Sequence, residues 1–539
     1  MGVPGVAGSC HTGHVVYTSL KEMTMLLDAF EPKRVLHYFE EIAAIPHGSG
    51  NTRAISDHLV EFAKSKGLEY RQDSLGNVLI RKAASPGCES APVVILQGHM
   101  DMVCEKDADC TLDMEKEGLD LRLYRRKELR WLSRELSPLQ SPEDWFLKAE
   151  GTTLGSDDGI GVAYMMAILE AEDITHPALE CVFTVDEEIG MLGAVGMDMS
   201  DLKGRLLMNI DSEDEGHVLA GCAGGCIATV TIPVEREDPE ETMDSLLLRV
   251  EGLKGGHSGL EIDRGRANAS VILGRLLQTL SLRFGQDIRL CSVNGGSKDN
   301  AIPRSAEAVL RVMPGIRQAV MELAAEEEGV FRREYAGCDP ELQISCSVRT
   351  LEHPEEERNP VPVIRPLSRA SEACAIRLLR ILPNGIEKMS RDIPGLVETS
   401  LNLGILKTKE NKIVASSLVR SGVNSEKEEL LSRIAAVAEA LGGTASYEGD
   451  YPAWEYRKES RLREVMQECY EAQYKEPIIV ETVHAGVECG IFSDKLPGLD
   501  AVSFGPDLKD IHTAKEAMDL ASVERTWKLI LSVLKKLCE

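Results

Sequence analysis

The chain has 539 residues, which allows two to four domains of ordinary size. Lys and Arg number 60 against 88 Asp and Glu, so the formal net charge is −28. This acidic balance argues against a nucleic-acid partner, because such binding needs Lys and Arg to neutralise phosphates. With 43% hydrophobic residues the chain can bury a sizeable core, and no apolar run reaches the roughly 18 residues of a membrane span, so we expect a globular protein outside the bilayer.

The N-terminal stretch and the cysteines indicate a compartment. Residues 1–30 contain no basic segment followed by an apolar one, which a secretory signal requires, so we expect a cytoplasmic protein. The 14 cysteines are scattered, and the closest group, Cys222 and Cys226, has no second pair nearby to complete a structural zinc cage. We therefore expect mostly reduced cysteines that act as small apolar residues.

The predicted elements begin with two helices. Apolar residues recur at helical spacing over residues 32–63 and are interrupted by a Pro/Gly cluster at 45–50, which predicts a loop between the helices. Continuously apolar runs, typical of strands buried on both faces, then alternate with a helical pattern. These elements are strands at 77–80 and 93–96, a helix at 159–170 and a strand at 180–185. The alternation favours an α/β domain with a mixed central sheet.

A second domain is predicted as an insertion into the first. Composition changes near Gly221 and again at 449–452, and strand and helix patterns alternate between these points, which indicates a separate α+β unit. Its predicted elements are 246–250, 267–282, 306–312 and 317–328, and a helix at 460–474, a strand at 478–480 and a helix at 522–537 follow. The predicted division is an N-terminal extension (1–27), a first domain in two parts (28–224 and 451–539) and an inserted domain (225–450).

Residues 122–144 form a locally basic, then proline-containing segment between two compact elements. We interpret this segment as a surface excursion, because loops tolerate insertions well. A role in gating substrate access is the alternative.

Acidic and imidazole side chains follow several of the apolar runs, at the strand ends where open α/β sheets bind ligands. After the run at 93–96 come His99 and Asp101, which point to the same side of an extended chain because the side-chain period is two. Asp101 could accept one imidazole N–H while the other ring nitrogen binds a metal ion. The alternative is a strand-end histidine with an unrelated turn aspartate.

Two further runs end in acids. The three consecutive acids at 186–188 directly follow the strand predicted at 180–185, and they are costly to desolvate unless a cation compensates. A solvated turn is the alternative. Asp211 and Glu213 follow the apolar run at 206–210 in the same way, with a polar turn as the alternative.

The last two candidates are Asp157 and His512. Asp157 lies in the GSDDG segment (155–159) that opens a helix, where it is either an N-cap or a carboxylate bridging two ions, and no dinucleotide fingerprint follows a strand there. His512 follows the run at 502–504, and a late, isolated histidine is more often structural. Without an H-E-x-x-H helix, five dispersed ligands that share a carboxylate fit two divalent ions about 3.5–4 Å apart, as in aminopeptidases.

The motifs around these residues closely resemble those of the aminoacyl-histidine (Xaa-His) dipeptidases, of the di-zinc family that also holds peptidase T and glutamate carboxypeptidase. The resemblance runs from about Glu31 to the C-terminus. The motifs stand in family order: GHMDM (98–102), TTLGSDDGIG (152–161), FTVDEEIGM (183–191), NIDSEDEG (209–216), GGHSG (255–259), GRANA (265–269), NAIPR (300–304), TSLNLG (399–404), HAGVECGIF (484–492) and FGP with HT (504–513). The resemblance implies an α/β di-zinc exopeptidase catalytic domain, an inserted lid domain and a lid-mediated homodimer.

The resemblance also implies a ligand set. His99 and Asp211 would bind one zinc ion, Glu188 and His512 the other, and Asp157 would lie between them. Asp101 would orient His99, and Glu187 would be the general base. This division is chemically sound, since one of two adjacent glutamates can bind metal while its neighbour takes a proton. Zinc suits mixed imidazole and carboxylate ligands, although Co²⁺ or Mn²⁺ could occupy the same geometry.

The implied reaction is hydrolysis of the peptide bond of small, unblocked dipeptides, Xaa-His or broader. Two zinc ions would acidify a shared water and polarise the scissile carbonyl, while Glu187 carries the proton to the departing amine. His257 of GGHSG would stabilise the oxyanion, although this segment alone is a mobile turn. Asn300 would contact the substrate from the lid. Arg420 would hold the terminal carboxylate, with a solvent-facing arginine as the alternative.

The sequence is compatible with other functions, and it departs from the family pattern in places. A tripeptide aminopeptidase or an acyl-amino-acid amidohydrolase could use the same site, because specificity lies in pocket shape. A non-catalytic peptide-binding protein is less favoured, since the base and all ligands are present. The N-terminal extension exceeds the family pattern, with Met23 or Met25 as an alternative start. Asp158 stands where relatives often carry Asn, and we do not expect this change to remove a ligand.

Overall fold

Two large β-sheets organise the computed structural model, which describes residues 25–129, 144–238, 243–349 and 365–539. The helices in these residues are α1 (Lys33–Ala43), α2 (Arg53–Ser65), α3 (Ser156–Glu170), α4 (Leu192–Gly196), α5 (Ala269–Phe284), α6 (Arg317–Glu334), α7 (Arg369–Ile381), α8 (Asn424–Ala440), α9 (Arg461–Tyr474), α10 (Cys489–Lys495) and α11 (Leu520–Lys536).

The strands are β1 (Glu69–Gln72), β2 (Val78–Lys82), β3 (Val94–His99), β4 (Leu121–Arg125), β5 (Trp145–Ala149), β6 (Leu179–Thr184), β7 (Leu206–Asn209), β8 (His217–Cys222), β9 (Gly224–Pro233), β10 (Asp244–Glu251), β11 (Gly256–His257), β12 (Ile288–Gly295), β13 (Ala301–Ile302), β14 (Ala306–Val312), β15 (Gln343–Val348), β16 (Gly385–Met389), β17 (Val397–Thr408), β18 (Lys412–Ser421), β19 (Thr444–Tyr451), β20 (Ile479–Val483), β21 (Asp500–Ser503), β22 (Leu508–Lys509) and β23 (Ala517–Asp519).

The first sheet has the order β1-β2-β6-β3-β7-β21-β8-β20. Within it, β6, β3, β7 and β21 are neighbours that run parallel, with His99 opposite Thr184 and Gln97 opposite Asn209. Their carboxyl ends therefore meet at one edge.

Both faces of this sheet are covered, which explains its continuously apolar strands. On β3, Val94 and Leu96 belong to the core that includes α1, α3, α9 and α11, whereas Ile95 faces a smaller core that includes residues of α4 and α10. Helix α3 lies between α1 and β3, and every residue of it except Asp157 and Glu170 is buried. A helix that is apolar all round belongs in such an interior position.

The second sheet has the order β15-β10-β14-β12-β17-β18-β9-β19, with β16 paired to β17. Helices α5, α7 and α8 pack against it and enclose a separate core. The predicted fold class, a mixed α/β sheet domain with an inserted α+β domain, is confirmed. The domain limits at 28–224, 225–450 and 451–539 stay predictions, and the extension at 1–27 is described only from residue 25.

The segment at 122–144 differs from the predicted surface excursion at its start. Residues 121–125 form β4, which pairs with β5 in a four-stranded sheet of order β22-β23-β5-β4. Leu121 and Leu123 pack against the first core, so apolar residues at two alternate positions stabilise a strand despite Arg122 between them. Residues 130–143 lie outside the described residues.

Two further expectations were that the cysteines are mostly reduced and that the chain does not span a membrane. Cys88 and Cys538 are joined by a disulfide, and the other cysteines of the described ranges are free. The two cysteines are 450 residues apart, so no local sequence pattern predicts that they pair. No helix in the described part of the chain is both long enough and apolar enough to cross a membrane.

Candidate active site

The parallel strands of the first sheet deliver most of the candidate ligands to one edge. His99 is the last residue of β3, Glu188 follows β6, and Asp211 follows β7. His512 lies on the segment after β21, and Asp157 lies at the start of α3. Positions up to 355 residues apart in sequence are thereby brought within contact distance.

One carboxylate stands between two imidazoles. Asp157 Oδ1 lies 3.1 Å from His99 Nε2, and Asp157 Oδ2 lies 3.1 Å from His512 Nε2. Asp211 Oδ1 is 3.4 Å from His99 Nε2, and Glu188 Oε1 is 2.8 Å from His512 Nε2. Each imidazole thus faces Asp157 and one further carboxylate, which is the pairing that the sequence analysis assigned to two metal ions.

The ligand atoms are close enough for a cation to replace the contacts between them. One ligand atom from each of His99, Asp157 and Glu188 lies within 4.8 Å of the other two, a grouping that could hold a metal ion. This group takes one member from each predicted ligand pair, together with the carboxylate predicted to lie between the two ions. Two imidazoles and three carboxylates suit a borderline-soft divalent ion such as zinc.

The charges of the cluster shift its pKa values strongly. Burial opposes a charge on His99, but Asp211 and the other carboxylates raise the pKa of that imidazole well above its usual value. Hydrogen bonds to Asp157 and Glu188 raise the pKa of His512 to about 10. Burial raises the pKa of Asp211 to about 6. Protons and metal ions therefore compete for the same atoms.

Asp101 supports the site in a different way from the prediction. His99 Nδ1 donates to the backbone carbonyl of Asp101 at 2.9 Å, whereas the Asp101 carboxylate is 3.6 Å from the ring nitrogen. That carboxylate instead accepts hydrogen bonds from the backbone N–H of Glu187 at 3.0 Å and from Ser49 Oγ at 2.8 Å. Asp101 thus fixes the ring of His99 through its backbone and the position of Glu187 through its side chain.

Glu187, the predicted general base, lies among the charges of the predicted ligands. Burial raises the pKa of its carboxyl well above the usual value, the charge of His99 opposes this shift, and the charges of Asp211, Glu488 and Glu188 add to it.

The backbone around the site is strained in two places. Asp186 and His512 have φ values of 55° and 61°, in the left-handed region that costs non-glycine residues about 1–3 kcal/mol. At Gly98, a Cβ atom would lie 2.2 Å from Asp158 Oδ2, so glycine makes room for a buried acid behind His99. Strain of this kind clusters at functional sites, where the surrounding contacts enforce it.

A buried polar layer lies one step below the ligands. Gln97, Thr184 and Asn209 are near the ends of β3, β6 and β7, on the face covered by α10. Glu488 Oε2 accepts hydrogen bonds from Gln97 Nε2 at 2.5 Å and from Thr184 Oγ1 at 2.6 Å, and Asn209 Nδ2 donates to Gln97 Oε1 at 2.7 Å. The sequence analysis gave Glu488 no role, although an acid inside HAGVECGIF was the available signal. The network ties three strand ends together.

The inserted domain brings His257 and Asn300 together. Strands β11 and β13 pair His257 with Ala301, and Ser258 N donates to the carbonyl of Asn300 at 2.9 Å. His257 Nδ1 accepts from the backbone N–H of Leu260 at 3.1 Å, which leaves its Nε2–H as a donor. Burial, and then the charge of Arg420, lower the pKa of His257, so its neutral form is favoured.

Arg420 is buried rather than facing solvent, which removes the alternative considered for it. The residue is 7% exposed, Nη1 donates to Tyr451 Oη at 3.0 Å, and Nε has no hydrogen-bond partner in the described residues. His484 lies nearby, with Nε2 2.8 Å from Ser400 Oγ, and burial followed by the charges of Arg420 and His257 lowers its pKa to about 3. The sequence analysis missed His484, although it begins the HAGVECGIF motif. Arg420 thus presents a buried guanidinium whose Nε is unpartnered in the described residues, a donor that suits a carboxylate.

Fold and site together define a class of protein. Strand ends that gather imidazoles and carboxylates able to hold a metal ion suit a metal-assisted hydrolytic enzyme. Residues 128–536 match peptidase family M20/M25/M40, and the chain belongs to this family. It is a peptide hydrolase.

Individual relatives cover nearly the whole chain. The cytosol non-specific dipeptidase of Escherichia coli K12 is 33% identical over 512 residues, which are 95% of this chain and 99% of the relative. The crystal structure of the aminoacylhistidine dipeptidase from Vibrio alginolyticus is 32% identical, with a TM-score of 0.83 and coverage of 95% and 98%. Aminopeptidase PepT from Bacillus cereus ATCC 10987 shares the fold at 14% identity, with a TM-score of 0.52 and coverage of 95% and 100%. The resemblance drawn from the motifs is confirmed.

Proposed function

We propose that this chain is a zinc-dependent dipeptidase that hydrolyses the peptide bond of unblocked dipeptides. The observation that carries the proposal is the Asp157 carboxylate, which directs one oxygen to each of two imidazoles at 3.1 Å. The printed activities of the relatives from Escherichia coli and Vibrio alginolyticus support a dipeptide substrate.

We propose two Zn²⁺ ions per chain, each with its own pair of ligands. His99 and Asp211 would hold one ion, Glu188 and His512 the other, and Asp157 both. Co²⁺ or Mn²⁺ would suit the same donors. When bound, the ions supply Lewis acidity that acidifies a water molecule and polarises the substrate carbonyl.

The protein groups then move the proton and stabilise the charge. Glu187 takes a proton from the attacking water and delivers it to the departing amine. His257 donates its Nε2–H to the carbonyl oxygen as negative charge develops there. A neutral imidazole suits this role, since it keeps one N–H donor and adds no positive charge that the nearby metal ions would repel.

Arg420 of the inserted domain would bind the substrate's terminal carboxylate. Arg420 is buried and keeps Nε unpartnered in the described residues, so its guanidinium is available to a carboxylate without losing its bond to Tyr451. His484 would lie beside the bound carboxylate, and Asn300 would contact the substrate next to His257.

We also propose a cytoplasmic homodimer. The name of the Escherichia coli relative, a cytosol dipeptidase, supports the compartment. The dimer follows from the family resemblance of the inserted domain, and light scattering after size exclusion would test it. A mass of one chain at micromolar concentration would contradict the dimer.

A substrate panel with and without a chelator tests the proposed activity. The panel contains unblocked dipeptides that include Xaa-His, tripeptides and N-acyl amino acids. We expect turnover of the dipeptides that stops with chelator and returns with zinc. Turnover restricted to tripeptides or to acylated substrates would assign the alternative functions, and turnover that survives complete metal removal would contradict the metal-dependent site.

A further inference from the structure

The segment that carries His512 also carries a buried carboxylate, Glu516, which is 2% exposed. Glu516 Oε2 accepts from the backbone N–H of Leu154 at 2.8 Å and of Gly155 at 3.1 Å. Glu516 Oε1 accepts from the backbone N–H of Ser156 at 2.8 Å and from Ser156 Oγ at 2.6 Å. One side chain therefore holds three consecutive residues of a turn.

This turn directly precedes Asp157 and determines where that residue stands. Asp157 has φ −89° and ψ 106°, so the helical geometry of α3 does not place it. Gly155 has φ 68°, and a Cβ there would lie 2.7 Å from Met102 Sδ, so the turn needs glycine. Glycine leaves the backbone conformationally free, and the hydrogen bonds to Glu516 restrict it here.

Glu516 and His512 share one short segment that is itself closed. Glu516 N donates to the carbonyl of Thr513 at 3.1 Å, and Thr513 Oγ1 donates to the carbonyl of Asp510 at 2.7 Å. A movement of this segment would therefore shift His512 and, through Glu516, the turn before Asp157. His512 Nε2 itself lies 3.1 Å from Asp157 Oδ2.

We propose that Glu516 is a positioning residue, which holds the turn at 154–156 so that the Asp157 carboxylate stands between His99 and His512. The inference rests on the proposed two-metal function. Glu516 does not touch the substrate or the ions. It acts by fixing a ligand that both ions share, as outer hydrogen-bond partners of metal ligands do.

The test is Glu516→Gln in the full-length chain, with Glu180→Gln as the control. Glu180 is also 2% exposed, and its carboxylate accepts from the backbone N–H of Lys203 and of Gly204, both at 2.9 Å, and from Arg81 Nε at 3.2 Å. It lies at the start of β6, at the opposite end of the strand from Glu188. Both variants lose one buried negative charge, but only the first loses the hold on Asp157.

Zinc binding to the metal-free proteins is measured by titration calorimetry, and the visible spectrum is recorded after loading with Co²⁺. We expect Glu516→Gln to weaken zinc binding about 10–100-fold and to change the cobalt spectrum, while Glu180→Gln keeps the wild-type affinity and spectrum. For dipeptide hydrolysis we expect a lower kcat with little change in KM in the Glu516 variant only.

Wild-type zinc affinity and spectrum in folded Glu516→Gln would overturn the inference, as would an equal loss in both variants. If Glu516→Gln does not fold, Glu516→Asp replaces it, because this change keeps the buried charge and shortens the side chain that reaches the turn. Unchanged zinc affinity in that variant would also overturn the inference. If the wild-type chain itself binds no zinc, the proposed function fails instead, so the two failures are distinguishable.

Discussion

Replacing Glu187 by glutamine should remove the proposed base and leave the rest of the site in place. The backbone N–H of Glu187 donates to Asp101 Oδ1 at 3.0 Å, a bond that does not depend on the Glu187 side chain. Glutamine has nearly the same shape as glutamate. Because burial raises the pKa of the Glu187 carboxyl, a neutral amide is also no harder to bury than the acid. We therefore expect Glu187→Gln to fold and to keep its metal content.

The expected loss of activity follows from the role of a positioned base. General acid–base catalysis contributes about 10²–10⁴-fold to a rate. At about 1.36 kcal/mol for each factor of ten, the barrier should rise by about 3–5 kcal/mol. The proposed substrate contacts at Arg420 and His257 are untouched, so kcat and kcat/KM should fall together while KM changes little, the signature of an interaction made only in the transition state.

The assay is hydrolysis of an unblocked dipeptide over a range of concentrations, with zinc content measured on the same samples. The matched control is Asp186→Asn, because Asp186 is the neighbouring acid, its φ of 55° is tolerated by asparagine, and its Oδ1 accepts from Gly50 N at 2.7 Å as an amide oxygen can. The control should stay within about threefold of the wild-type kcat, a change worth less than about 0.7 kcal/mol. A metal-loaded Glu187→Gln enzyme with the same kcat as this control would refute the assignment.

Three other predictions test separate parts of the site. Arg420→Lys should raise KM at least about tenfold with a smaller effect on kcat, since lysine cannot form a bidentate contact with a carboxylate. Steady-state kinetics measure both constants, and an unchanged KM would contradict the prediction. Because hydrogen bonds raise the pKa of His512 to about 10, zinc binding at pH 7 should release a proton, and zinc affinity should increase as pH rises. Calorimetry in buffers of different ionisation enthalpy should detect the proton release. A binding heat that is the same in all buffers would exclude it. Burial raises the pKa of Asp158 well above its unfolded value. The wild-type chain therefore loses stability as pH rises from the unfolded pKa towards the folded pKa, and Asp158→Asn does not. The Tm of the variant minus the Tm of the wild type should grow from pH 4 to pH 8, and a difference that shrinks would contradict the reasoning.

The fold was accessible from the sequence because its strands are buried on both faces. Runs such as Val94–Leu96 are continuously apolar, and each ends in residues that are costly to bury alone, so both the strand and the ligand at its end leave a signal. The same logic located His99, Glu188 and Asp211. It failed for β4, where the apolar alternation is limited to Leu121 and Leu123, with Arg122 between them.

The remaining parts of the site depend on contacts between residues far apart in the chain. Glu516 reaches Ser156 across 360 residues, and Glu488 reaches Gln97 across 391. His484 meets Ser400 only because the inserted domain folds against the loop after β20. Local composition carries no information about such pairs, so a single sequence indicates the ligands but not the groups that hold them in place.

The most direct test of the two-metal centre is anomalous scattering at the zinc edge from crystals grown with Zn²⁺. We expect two peaks per chain on either side of the Asp157 carboxylate. One should lie about 2.0–2.2 Å from ligand atoms of His99 and Asp211, and the other at the same range from His512 and Glu188. A single peak, or peaks without contact to Asp157, would contradict a two-metal centre.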